Sequence, residues 1–214
     1  MVAGLFMVMA VSPAIAKDKP AKQPYKGHEG HAHAEGEGHG THEDGGDDAM
    51  MSAWMEANAV TEFHKHLEPF VGRWETASKM RMAPEVPWME SKGSSEVSWI
   101  MEGRFVQEKY KGEMMGMPFE GLGMTGYDNM RKEYISTWMD SMSTTIAMTR
   151  GKCDNSAKTF SFMGAMDDPM TGTKDVPFKV VLKVVNGDKR MMEFWVPGED
   201  GEMFQNMEIV YTRR

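Results

Sequence analysis

The chain is short of three residue types: it has one cysteine, Cys153, four leucines, and no histidine after residue 66. Each shortage excludes something. A single thiol forms no internal disulfide, so a hydrophobic core must hold the fold unaided. It also rules out a CxxC redox pair and a four-cysteine zinc site. A stretch without His lacks the usual general base, haem ligand and catalytic zinc ligand. A haem-binding barrel of the nitrobindin sort normally supplies such a His from its strands. Basic residues are missing from one region. Between Gly27 and Asp48 there are seven acids (Glu29, Glu35, Glu37, Glu43, Asp44, Asp47, Asp48) and no Lys or Arg. Seven of the eight net negative charges therefore lie in one short stretch, and the remainder is close to neutral. A near-neutral domain offers no basic face to a phosphate backbone, which excludes nucleic acid as a partner.

What is present divides the chain into three parts. Residues 1–16, MVAGLFMVMAVSPAIA, are apolar, too short to span a bilayer, and end in the small-x-small pattern Ala14-Ile15-Ala16. They read as a signal peptide cleaved after Ala16, without a basic n-region, and imply an exported protein, periplasmic or extracellular, with no stable membrane span when mature. Residues 17–50 are Lys/Pro-rich, then Gly/His/Glu-rich. They lack aliphatic side chains to bury and read as a disordered leader. Residues 51–214 form one domain, large enough for a real core. It starts with SAWMEANAVTEFHKHLEPF, where Trp54, Met55, Ala59, Phe63 and Leu67 recur at helical spacing after a Ser52 N-cap. The pattern predicts one amphipathic helix closed by Pro69 and Gly72.

Beyond Val71 the pattern changes to short runs of Val, Ile, Thr, Trp, Tyr and Phe punctuated by Gly, Asn, Asp and Pro. These predict strands near 71–82, 92–101, 104–111, 118–127, 132–139, 144–151, 158–164, 176–185, 190–196 and 203–212. Some show period-two faces: Phe178, Val180, Leu182 and Val184 oppose Lys179 and Lys183, and Met192, Phe194 and Val196 oppose Glu193 and Trp195. Turns such as Glu102-Gly103, Asn129-Met130, Asn186-Gly187-Asp188 and Glu199-Asp200-Gly201 supply hairpin chemistry. The expected fold is all-β, a ten-stranded antiparallel meander closed as a barrel so that no edge remains. A two-sheet sandwich is the alternative. With 25 Met against so few Leu, methionine reads as the flexible filler of core and lining. A second reading is a soft Cu(I) site at Met114, Met115 and Met117 in GEMMGMPF, a segment that also reads as a plain hairpin connection.

The segments HKHLEPFVGRW, EGRFVQEKYKGEMMGMPFEGLGMTGYDN, KEYISTWMDSMST and MEIVYTRR resemble the bacterial domain-of-unknown-function family 1579 over about residues 50–214. The resemblance implies a lipocalin-like barrel and brings no established activity. More widely, Gly72-Arg73-Trp74 is similar to the G-x-W opening of the first strand in calycins, the superfamily of lipocalins and fatty-acid-binding proteins. That likeness implies that Arg213 or Arg214, ending the last strand, packs on Trp74 and closes the barrel base by a cation–π contact.

Three functions are open. The first is a non-catalytic carrier of a small apolar molecule, with Trp74, Trp99, Phe105, Tyr110, Phe119, Tyr127, Trp138, Phe178 and Trp195 as lining candidates. Asp140 is a ligand contact if the face of Tyr134 and Trp138 points inward, and a hairpin residue if it points outward. The second is metal buffering, in which His28, His31, His33, His39 and His42 of the leader hold labile Zn²⁺, Ni²⁺ or Cu²⁺ ions. The third is an enzyme using Asp140, Tyr134 or His64, although His64 reads first as a residue that caps the barrel. Cys153, before Asp154-Asn155 in a turn, reads as incidental rather than nucleophilic. The sequence leaves the oligomeric state open.

Overall fold

The computed structural model describes residues 45–214. The signal-peptide segment, most of the leader and its five histidines lie outside these residues. Helix α1, Gly45–Ala57, starts inside the segment expected to be leader and carries Asp47 and Asp48 in its first turn, where the helix dipole favours acids. The helix expected before the barrel is present, but it ends at Ala57 instead of running from Ser52 to Pro69. Thr61 is extended and starts a separate turn, α2, Glu62–Lys65, followed by a 3₁₀ turn at Glu68–Phe70. Asn58 and Thr61 explain the break, because their short polar side chains favour caps over helix interiors.

Ten strands follow: β1 Gly72–Met80, β2 Met89–Ile100, β3 Phe105–Met114, β4 Met117–Asp128, β5 Glu133–Asp140, β6 Ala147–Cys153, β7 Thr159–Met166, β8 Val176–Asn186, β9 Lys189–Pro197 and β10 Met203–Arg213. Every neighbour in the chain is an antiparallel neighbour in space, and β1 pairs with β10 to close the barrel. The tight β3–β4 connection is Met115-Gly116, both at positive φ (53° and 76°), the backbone of a two-residue hairpin whose twist matches its strands. Met114 and Met117 are simply opposite each other across it.

One end of the barrel is sealed. Leu67 and Phe70, from the segment before β1, are buried with Trp74, Tyr134, Phe160 and Tyr211 in one aromatic core. Phe70 meets Phe160 edge-on at 5.2 Å, and Tyr134 meets Phe160 at 5.0 Å. Truncating such a ring to Ala costs about 3–5 kcal/mol. The expectation that methionine fills core and lining holds for the lining and only at the edge of the core: among the described residues no Met is fully buried, and Met166, Met192 and Met207 pack against the core side chains half-buried. Aromatics and Val fill it. Other methionines line the cavity described next, and Met101, Met130 and Met148 lie exposed.

Candidate functional site

Above the sealed base the barrel is hollow. A cavity of about 810 Å³ runs from mid-barrel to the opposite end, where the β1–β2, β3–β4, β5–β6 and β7–β8 connections form its mouth. Strand pleating decides which side chains enter it, since alternate residues face in. On β8, Phe178, Val180 and Leu182 do so; on β9, Met192 and Phe194; on β5, Ser136, Trp138 and Asp140. Methionines 80, 89, 114, 115, 142 and 166 surround the mouth, giving it an adaptable apolar rim.

The structure sorts the sequence-derived candidates. Tyr110, Phe119, Trp138, Asp140 and Phe178 line the cavity. Tyr110 meets Phe119 at 5.8 Å and Trp138 at 6.5 Å, both edge-on. The Trp138 ring lies over Gly121, where any Cβ would overlap it. Its indole N–H donates to Asp140 Oδ2 (3.2 Å), and Asp140 Oδ1 accepts from the Met142 backbone (2.9 Å). The Tyr134–Trp138–Asp140 face therefore points inward, and Asp140 stands at the mouth.

Five candidates do not line the cavity. Trp74 is fully buried in the base. Trp99 faces the same core at the base rim and donates to Glu68 Oε2. Tyr127 packs under α2, stacked on Phe63 at 4.6 Å. Phe105 and Trp195 sit on outward faces: Phe105 covers Gly126, opposite the inward Val106–Thr125 pair, and Trp195 donates to Glu193 outside the inward Phe194. Pleat parity and height along the strand removed all five. Aromatic identity carried neither piece of information.

Trp74 has an elaborate setting. Its indole N–H donates to Phe70 O (2.9 Å), and the Arg213 guanidinium lies 4.2 Å from its ring. Arg213 also donates to Val71 O and Gly187 O, tying both chain crossings at the base together. Gly72, at φ 134°, leaves the space Arg213 occupies.

The profile of the DUF1579 family, described as protein of unknown function, matches residues 59–213. The chain belongs to that family. No curated protein matches its sequence. Among solved structures, this DUF1579 barrel is similar to that of Rv2717c from M. tuberculosis, at 11% identity and a TM-score of 0.55 over 73% of this chain and 99% of that one. A redesigned barrel, mFAP1 bound to DFHBI, is similar at 11% identity and a TM-score of 0.37, over 69% and 98%. At 11% identity the likeness to Rv2717c is one of fold.

The DUF1579 barrel also holds a buried polar group that aromatic scanning missed. Arg190, 3% exposed, pairs with Glu108 (Nη2 to Oε1, 3.2 Å) and lies 3.7 Å from the Tyr211 ring. Ser95 donates to Glu108 Oε1 at 2.6 Å. Glu108 lines the cavity floor, whereas Arg190 sits beneath it against Phe70 and Trp74. Burial, then the neighbouring Glu108 carboxylate, hold the Tyr211 phenol well above its ordinary pKa. The signal was available: Arg190 shares parity with Met192, Phe194 and Val196, and Glu108 with Val106 and Tyr110.

The catalytic candidates do not meet. His64 and Tyr134 belong to the base. Thr61 N–H donates to His64 Nδ1 (3.0 Å), which makes that nitrogen an acceptor and the ring neutral. Burial, then Arg104, lower the His64 pKa below 6.5. Tyr134 O–H donates to Phe63 O and is 2.8 Å from His66 Nδ1. Asp140 is six residues further along β5, about 20 Å away at strand rise, at the opposite end of the barrel. Burial, then Asp154, push the Cys153 thiol up to about 11, far from a reactive thiolate.

Proposed function

We propose that this DUF1579 protein is a non-catalytic carrier of one small, largely apolar molecule, and that it acts outside the cytoplasm. The observation that carries the reading is the cavity. It is sealed at one end by a packed aromatic core and open at the other through a methionine rim, with a volume of about 810 Å³ in the range of small-molecule sites. The separation of His64 and Tyr134 from Asp140 weighs against an acid–base catalyst, which needs its groups within hydrogen-bond reach of one reacting atom. Export is supported by the apolar segment 1–16 with its small-x-small end.

Native mass spectrometry of the protein purified from its own host, without chelator, tests this. A bound organic mass that survives removal of residues 17–48 is the expected result. Bound metal ions lost with that segment would instead move the function to His28, His31, His33, His39 and His42. A bare polypeptide mass would count against both.

A further inference from the structure

The cavity wall is chemically two-sided. Thr125 on β4, Ser136 on β5 and Thr149 on β6 are direct cross-strand partners on the inward face, so three hydroxyls run side by side across three strands. Thr125 Oγ1 and Ser136 Oγ lie 2.8 Å apart, and Thr149 donates weakly to Ser136 O at 3.5 Å. One hydrogen bond between two hydroxyls uses one of their two protons and leaves several lone pairs open. Ser78 and Ser91, another hydroxyl pair at 2.8 Å, stand separately near the mouth on β1 and β2.

At mid-barrel, strands β7 to β10 present hydrocarbon. Phe162 on β7 pairs with Val180 on β8, Val180 with Phe194 on β9, and Phe194 with Met207 on β10. These four side chains make one lateral row, and all line the cavity. Strand order puts β9 and β10 across the ring from β4 and β5, so Phe194 and Met207 lie on the side opposite Thr125 and Ser136, with Phe162 and Val180 curving between.

A wholly apolar ligand would leave the open hydroxyl positions without partners, at a cost of about 1–3 kcal/mol for each buried polar group left unmade. A ligand that is polar all round would waste the Phe162–Met207 row. A flexible single-chain lipid has no fixed polar face to present to three parallel hydroxyls. Lys79 and Lys174 at the mouth are paired with Glu208 and Asp167, so a carboxylate there would meet Glu90, Glu113 and Asp140.

We infer that the ligand is a rigid, facially amphipathic molecule without a negative charge, with a hydrocarbon face against β7–β10 and hydroxyl or carbonyl groups along the opposite face or edge. This rests on the carrier reading and narrows it to a ligand class.

The test uses the full chain loaded with Nile red, a neutral apolar dye. Two displacing probes share one rigid skeleton: methyl cholate, which carries three hydroxyls on one face, and methyl 5β-cholanate, which carries none. Methyl palmitate represents the flexible class. Methyl cholate is expected to displace the dye at least tenfold more tightly than either. The double variant Thr125→Val/Ser136→Ala should lose that tenfold preference and still bind Nile red. Removing both hydroxyls together leaves neither orphaned, and retained dye shows that the variant is folded. Equal displacement by the two steroid esters, or by none of the three probes, would overturn the facial ligand class while leaving the carrier reading intact. Failure of Nile red to bind the wild-type chain would overturn both.

Discussion

The two ends of the barrel use the same strands for opposite purposes. At the base, inward positions carry Trp74, Tyr134, Phe160 and Tyr211, and the chain preceding β1 adds Leu67 and Phe70 to close the gap. Toward the mouth, Ser78, Ser91, Ser136 and Ala147 stand between the inward Tyr110, Phe119, Trp138 and Phe178, and their small side chains leave the space between those rings open. A ten-stranded barrel has room for large side chains to fill one half and leave the other hollow. The difference assigns stability to the base and binding to the mouth half, so substitutions in the two halves should separate the two properties.

The largest separation is expected at Arg190. Arg190→Met leaves the half-buried Glu108 at the cavity floor without its cation, a loss of about 2–3 kcal/mol for a charge-assisted bond. Adding Glu108→Leu should recover most of that loss. A double-mutant cycle by urea unfolding checks it, and additive losses would show that the pair is not coupled. Next is Cys153, whose partly buried thiol packs on the base core. Its pKa is raised from 9.0 to about 11, so at pH 8 the folded chain should hold about a hundredfold less thiolate than the unfolded chain. Iodoacetamide should label it that much more slowly in the folded state, and equal rates would mean the base opens freely.

A smaller effect belongs to the mouth. Trp138→Phe removes the bond to Asp140 but keeps a ring over Gly121, costing about 1 kcal/mol. A loss as large as that of Arg190→Met, read by the same urea titration, would erase the contrast between the halves. The smallest is a pH effect at His64. Because its folded pKa lies below the ordinary 6.5, the unfolded chain takes up the proton first as pH falls. The contribution is complete above pH 6.5 and is lost as pH drops below that value. The urea midpoint should fall between pH 7.5 and 5.5, and His64→Gln should flatten that part of the profile. An unchanged profile would mean that His64 does not carry the effect.

The two halves were also unequally legible in the sequence. All ten strands were readable, with ends within three residues of those observed, because turn residues and β-branched runs mark them locally. The Trp74–Arg213 contact followed from a motif that fixes both partners at strand ends. The cavity lining was only half readable. Trp138, Asp140 and Phe178 alternate with clear outward neighbours, but Phe105 and Trp195 are large aromatics on outward faces, and size alone does not reveal facing. Arg190 and Glu108 were missed for the converse reason. A charged residue on an apolar face reads as a fault in the pattern until its partner on another strand is known. The hydroxyl row of Thr125, Ser136 and Thr149 depends on registers between three strands, which no local window contains. The helix break at Asn58–Thr61 was overridden in the reading by an apolar spacing that ran through it.

The central claim, that the hollow half binds and the packed half holds the fold, is tested most directly at Ala147. This residue faces the cavity beside Trp138, near the mouth and away from the base core. Nile red should titrate the wild-type chain to one equivalent. Ala147→Trp, which places a second indole in the entrance, should abolish binding while the urea midpoint stays near that of wild type. Undiminished dye binding by a folded Ala147→Trp protein would contradict the account, because the dye would then be held somewhere other than the barrel cavity.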